Sequence, residues 1–328
     1  MLFPYRNIIF VGSGAIATSL GNVLAANEDL EVRLLSIQAE VVESINNDQV
    51  NRKYFPSIEL RPSLKATLDR DILKEAHIVF MAIPSVETVR YLRENKGLLN
   101  DKTIIVNLAK GFGENKRTIY ETLKEVLPNP ICSLKGPSFA RDIIHDQHTG
   151  FTLASEDKAL HPFFLDIFES TSIHLDFTED VIGAEILSIL KNIYAIVLGI
   201  VDAHFNSPNL RFMVLTRAFN EMREIMLEFG GKERTLFNYC GYGDFSLTAL
   251  NDLSRNRTLG LLIGKGFFVQ DISDKVILEG KIAVNIFCEA LEKKCSLKSF
   301  PIIYELYQVF NDHYDLSEFT NKLLSGEE

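Results

Sequence analysis

Asn7-Ile8-Ile9-Phe10-Val11-Gly12-Ser13-Gly14-Ala15-Ile16-Ala17 is the stretch that decides the fold. Asn7–Val11 is a short apolar run with β-branched residues, which reads as a strand. Two glycines follow at once, and Ala15 to Ala26 is small and helix-permissive. Strand, glycine turn and helix at this spacing fit GxGxxA. The first glycine, Gly12, permits the tight turn. Gly14 lets backbone approach a pyrophosphate, and the small Ala17 lets the helix pack closely on the strand. The helix N-terminus then attracts negative phosphate. The motif alone is a weak signal; its position between a strand and a helix is the context it requires.

The alternation continues outward. Val32–Leu35, His77–Ile83, Thr103–Leu108, Ile131–Leu134 and Gly150–Ala154 read as further strands, with helical stretches such as Ala39–Asn46 and Lys116–Val126 between them. Such alternation predicts a mostly parallel sheet covered on both faces. From about Val181 the chain turns helical: Val181–Ala203, Phe212–Phe229, Arg257–Ile263, Ile282–Cys295 and Pro301–Phe310. The expected architecture is α/β, an N-terminal Rossmann-type domain over 1–180 followed by an all-helical domain over 181–328, with the boundary near Asp176–Asp180. The substrate is expected in the cleft between them.

The 328 residues suffice for two domains, and 46% hydrophobic with 24% charged residues is a globular composition. A formal charge of −10 argues against non-specific binding to nucleic acid or to an anionic membrane, since both reward positive charge. Cys132, Cys240, Cys288 and Cys295 show neither CxxC spacing nor a dense disulfide framework, and read as reduced thiols of a cytoplasmic protein. Val181 to Val201 is apolar enough to suggest a membrane span, but Glu185, Lys191 and Asn192 lie inside it. Each central charge costs about 2.5–3.5 kcal/mol on insertion, so a buried core helix is the better reading and no span is expected.

That helix carries the first chemical candidate. Lys191 and Asn192 sit among Ile186, Ile189, Leu190, Ile193 and Ile196. A buried ammonium needs a cleft or a carboxylate. From the segment alone a structural ion pair or a snorkelling lysine is slightly favoured over a proton-exchanging group. Lys110 follows a predicted parallel strand, the end at which open α/β sheets bind ligands; its bland reading is an exposed loop lysine. Leu134-Lys135-Gly136-Pro137-Ser138-Phe139-Ala140 is a turn that offers backbone N–H groups in a comparable position. Gly241-Tyr242-Gly243-Asp244 and Ser254-Arg255-Asn256-Arg257 lie close together in the helical region. An arginine supplies a planar fork for phosphate, and Asn256 adds donors. Asp244 reads equally as a helix cap or a site carboxylate. His145 and His148 are three apart without a completing ligand cluster, so no metal is expected. No GxSxG elbow is present, which leaves hydrolase chemistry without a nucleophile.

In order, the segments GSGAIA, AKGF, LKGPSFA, LKNIYAIVLGI, LTRAFNEM, GYGDF, LSRNRTLG and LEG resemble the soluble NAD(P)-dependent glycerol-3-phosphate dehydrogenase family over most of the chain. The resemblance implies hydride transfer between glycerol 3-phosphate and dihydroxyacetone phosphate with NAD or NADP, glycerophospholipid metabolism and a homodimer. It implies that Lys191 is the catalytic lysine with Asn192 beside it, that Lys110 contacts substrate, and that Asp244 and Thr248 complete the site. Arg255 and Asn256 would grip the phosphate, with Gly136 and Ser138 also near substrate. The cofactor would meet Gly12, Ser13, Gly14, Ala15, Ile16, Ala17, Pro84, Lys110, Ala140, Arg255 and Glu279.

Several positions depart from that pattern. Leu34-Leu35-Ser36-Ile37-Gln38 lacks the acidic residue that would hold the ribose 2′-OH of NAD, and lacks an arginine for NADP, so cofactor preference stays open. The serine usual before GPSFA is Lys135, and GLGDL has become Gly-Tyr-Gly-Asp-Phe. Two alternatives stay open: a related dehydrogenase of another small phosphorylated ketone or polyol, and a catalytically silent nucleotide-binding protein.

Overall fold

The structure is a computed structural model that describes residues 7–205, 207–267, 274–311 and 316–325. The chain divides into two units, Met1–Val181 and Ile182–Glu328.

In the first unit the elements run β1 (Asn7–Val11), α1 (Ala15–Leu24), β2 (Glu31–Leu35), α2 (Ala39–Asp48), β3 (Lys65–Thr67), β4 (Ile78–Met81), α3 (Ser85–Asn95), β5 (Ile104–Asn107), α4 (Ile119–Val126), β6 (Ile131–Lys135), α5 (Ala140–Ile144), β7 (Thr149–Ala154), α6 (Leu160–Phe168) and β8 (Ile173–Thr178). They build one eight-stranded sheet of order β3-β2-β1-β4-β5-β6-β7-β8. Every neighbouring pair is parallel except β6 with β7. The central strands β4 and β5 are buried along their whole length, which is why they read as unbroken apolar runs and not as alternating ones. Phe10 and Phe80, register partners on β1 and β4, stack with centroids 4.6 Å apart.

Two strands of this sheet escape the sequence reading. β3 is three residues, Lys-Ala-Thr, and β8 is Ile-His-Leu-Asp-Phe-Thr with a mostly half-buried pattern. Both are edge strands, where burial is too incomplete to leave a clear period. The helix expected over Lys116–Val126 begins at Ile119. Thr118 accepts from the Glu121 N–H and the Glu121 carboxylate returns to the Thr118 N–H, a capping box that fixes the start.

The second unit is helical: α7 (Val181–His204), α8 (Pro208–Glu228), α9 (Asp244–Leu250), α10 (Arg255–Gly264), α11 (Asp274–Leu291), α12 (Pro301–Asn311) and α13 (Leu316–Ser325). α7 is its core. Its length and mean hydropathy of 1.8 would let it cross a membrane, yet 89% of its apolar window is buried inside the fold. α8 starts four residues before the expected Phe212, because Ser207 caps it and Pro208 occupies its first position. α7 and α10 cross at two glycines: a Cβ on Gly199 would lie 2.3 Å from the Arg257 carbonyl, and one on Gly260 2.0 Å from that of Ile196.

Candidate functional site

In the first unit, Gly12 leaves β1 at φ +110°, donates to the Leu35 carbonyl at 2.8 Å, and would put a Cβ 2.7 Å from the Ala82 oxygen. Only glycine meets both demands. Gly14 differs. It is the N-cap of α1, no side chain caps that helix, and a Cβ there would meet nothing within 4 Å. The first turn of α1, Ala15-Ile16-Ala17, therefore presents its N-terminal backbone to open space, while Ala17 itself is fully buried in the core. Gly12, Ser13 and Gly14, which lead into that turn, border a cavity of about 880 Å³ whose walls also include Ser36, Gln38, Arg70, Ala82 and Pro84. An N-terminal helix turn beside a cavity of that size fits the pyrophosphate of a dinucleotide. At the end of β2 the expected carboxylate is replaced by Ser36, whose hydroxyl shares a 2.7 Å hydrogen bond with Ser13. Next to it, Lys53 donates to the Gln38 side chain at 2.8 Å.

Lys110 is exposed in the turn after β5. The turn is built by two buried polar residues. Asn107 accepts the Ala109 N–H on its side-chain oxygen at 2.9 Å. Lys135, at the end of β6, donates to the carbonyls of Asn107 (3.0 Å) and Ala109 (2.6 Å). Gly111 closes against α3, where a Cβ would lie 2.3 Å from the Ser85 hydroxyl. Beyond β6, a Cβ on Gly136 would lie 2.4 Å from the Gly150 carbonyl, so this glycine is required by the antiparallel pairing of β6 with β7. The Ser138 hydroxyl donates to the Gly136 carbonyl at 2.9 Å, and half-buried Ala140 opens α5.

In the second unit, Lys191 and Asp244 are joined by a salt bridge with side chains 4% and 1% exposed. The cap reading of Asp244 is corrected here: Gly243 is the N-cap of α9, and the Asp244 carboxylate turns to the lysine. The neighbouring Phe245 fixes that orientation, stacked on Phe219 and edge-on to Tyr194. Thr248 is buried one turn along α9, and the Asn192 amide donates to the Ser188 carbonyl at 3.2 Å. Arg255 and Asn256 form the first turn of α10, capped by Ser254. The helix therefore starts two residues before the expected Arg257. Arg257 anchors that turn from below: it is buried, bonded to Asp202 at 2.5 Å and to Asp252 at 3.1 Å. Glu279 lies exposed on α11. His148 meets His174 at 2.8 Å, not His145, its neighbour in sequence.

Sequence reading singled out the residues that carry chemistry but not those that hold them. Nothing in the sequence marks Asn107, Asp202 or the buried Glu221, and Ser36 figures there only within the stretch that lacks a carboxylate. Lys135 stood out only as a departure, although a lysine ending the apolar strand Ile-Cys-Ser-Leu-Lys was a signal of the same kind as Lys191.

Two sequence profiles match the chain. One, for the N-terminus of NAD-dependent glycerol-3-phosphate dehydrogenase, covers residues 7–161, and the other, for its C-terminus, covers 180–321. The glycerol-3-phosphate dehydrogenase (NAD(P)+) of Methanothermobacter thermautotrophicus is 34% identical over 93% of each chain. That of Halothermothrix orenii is 32% identical over 97% of this chain and 95% of its own. The crystal structure of the Coxiella burnetii glycerol-3-phosphate dehydrogenase superposes with a TM-score of 0.87 at 27% identity, covering 98% of this chain and 99% of that one. With a Rossmann-type sheet, a glycine turn facing a cavity and this likeness along nearly its whole length, the chain belongs to the NAD-dependent glycerol-3-phosphate dehydrogenase family.

Proposed function

We propose that the protein interconverts sn-glycerol 3-phosphate and dihydroxyacetone phosphate with NAD or NADP, and that it works as a cytoplasmic homodimer. The observation that carries the reaction is the buried Lys191–Asp244 pair. An ammonium inside an apolar helix, paired with a buried carboxylate, is a proton carrier shielded from water. NAD or NADP, held at the glycine turn of Gly12 to Gly14, would supply the hydride chemistry at substrate C2. In the reducing direction Lys191 gives its proton to the developing alkoxide, and in the oxidising direction it takes the hydroxyl proton. Asp244 moderates the lysine charge and aims it. Lys110, Asn192 and Thr248 orient the substrate. Arg255 and Asn256, at the N-terminus of α10, bind its phosphate with charged and backbone donors. Phosphate binding remote from C2 then positions the reacting carbon.

Cofactor oxidation followed by absorbance over a panel of phosphorylated ketones and polyols tests this reading. Turnover with dihydroxyacetone phosphate, unaffected by a chelator, is expected. A folded sample that turns over nothing with either NADH or NADPH overturns it. A sample active only on another phosphorylated ketone moves the substrate and keeps the reaction.

A further inference from the structure

Lys135 is wholly buried, and the bonds that hold its ammonium include two to backbone carbonyls, those of Asn107 and Ala109. Desolvating an ammonium is costly, and an apolar side chain of similar volume commonly serves a core as well or better. Stability therefore does not account for a charge at the end of β6. Its hydrogen bonds do point to a use. They grip the start and the end of the turn that presents Lys110, and they act on the same turn that Asn107 closes with its side-chain oxygen. Because the peptide unit is planar, fixing the Ala109 carbonyl fixes the Lys110 N–H and Cα with it. Gly111 is meanwhile pressed against Ser85, so the turn is held from two sides.

We propose that Lys135 is a positioning residue for Lys110: from beneath the sheet end it locks the Ala109–Lys110 peptide so that the Lys110 side chain is presented to the phosphorylated substrate in one orientation. The inference rests on the proposed role of Lys110 in substrate binding. With its side chain wholly buried, Lys135 is assigned no direct contact with substrate or cofactor. Its effect is confined to how well Lys110 is aimed, and a misplacement of about 1 Å at such a group costs up to roughly 100-fold in rate.

A double-mutant cycle separates this from a packing role. Lys135→Met, Lys110→Met and the double variant are compared for kcat, KM for dihydroxyacetone phosphate, and cofactor affinity by fluorescence titration. Lys135→Met should lower kcat/KM by about 10- to 100-fold while leaving cofactor affinity within about twofold. In the Lys110→Met background the same change should cost little, because the group it aims is gone. Lys135→Gln, which keeps an N–H donor in the same channel, should recover part of the loss. Equal losses with and without Lys110, or a folded Lys135→Met with unaltered kcat/KM, overturn the proposal. So does failure of both Lys135 variants to fold, which would make the lysine a folding residue. A wild-type protein inert toward dihydroxyacetone phosphate overturns the proposed function instead, and the two failures are thereby distinct.

Discussion

The Lys191 ammonium and the Asp244 carboxylate, 53 residues apart in the chain, meet where both side chains are almost completely buried. Neither could be buried alone, so each makes the other's position possible. Removing only one partner confuses two effects. Lys191→Ala should lose catalysis by about 10²–10⁴-fold, the usual contribution of a general acid–base group. It should also lose stability by about 3–5 kcal/mol, because the buried Asp244 carboxylate loses its ammonium partner. Lys191→Met with Asp244→Asn removes both charges and should regain most of that stability without regaining turnover. Activity and urea unfolding measured on the same samples decide the matter. A folded Lys191→Ala with near-normal kcat would make the pair structural.

The two glycines of the first turn should fail in different ways. Gly12→Ala meets the Ala82 carbonyl at 2.7 Å with φ at +110°, and should destabilise the fold by more than about 1 kcal/mol. Gly14→Ala meets no protein atom within 4 Å, and exchanging glycine for alanine at an N-cap costs only some tenths to about 1 kcal/mol. Its methyl group instead occupies the space over the N-terminus of α1. Cofactor affinity should therefore fall in Gly14→Ala while its denaturant midpoint scarcely moves. Unchanged affinity would remove the pyrophosphate from that helix end.

Much of this was legible because the physics is local. The strand–turn–helix at Asn7–Ala17 needs one strand, two glycines and small helix residues in sequence, and nothing distant. The buried lysine in α7 was legible as a contradiction, a charge in an apolar run. Its partner was not, since nothing in Gly-Tyr-Gly-Asp specifies that Asp244 turns to α7 in preference to capping α9. The structural use of Asn107 and Lys135 is hidden for a similar reason: their partners include backbone carbonyl and N–H groups, which every residue has and no sequence pattern marks. The edge strands β3 and β8 were lost because half-buried strands keep too little apolar contrast.

Glu221 offers a stability test independent of catalysis. It is buried on α8, accepts the Tyr194 hydroxyl at 2.6 Å, and receives the N–H groups of Ile302 and Ile303, in the first turn of α12, at 2.9 and 2.8 Å. Burial pushes its carboxyl up to about 7, helped by nearby Glu224, although those three donors pull the other way. The folded value thus lies above the ordinary 4.5. Stability from this group is then fully present below about pH 4.5 and falls as pH rises toward 7, by about 3 kcal/mol. Glu221→Gln cannot titrate, so the difference in unfolding free energy between wild type and variant should shift by that amount between pH 4.5 and 7.5. A pH-independent difference would mean that the three donors outweigh burial.

Arg255 is exposed at the first position of α10, on a turn anchored by the Arg257–Asp202 bond, and its proposed work is phosphate recognition. A guanidinium donates two parallel hydrogen bonds to phosphate, which an ammonium cannot reproduce. Arg255→Lys keeps the charge, so any loss measures that geometry. The loss should be about 1.5–3 kcal/mol in kcat/KM, the worth of one charged hydrogen bond, which is on the order of ten- to a hundredfold. Comparing dihydroxyacetone phosphate with unphosphorylated dihydroxyacetone locates the effect, because only the first can use the fork. The variant should therefore suffer mainly on the phosphorylated ketone. Equal losses on both substrates would leave two explanations, cofactor binding or general damage, and the cofactor dissociation constant separates them. Weakened NADH or NADPH binding in a folded variant would reassign Arg255 to the cofactor. Normal cofactor affinity with equal losses would show that the phosphate is held elsewhere, and Asn256 with the backbone N–H groups of α10 would be the next donors to vary.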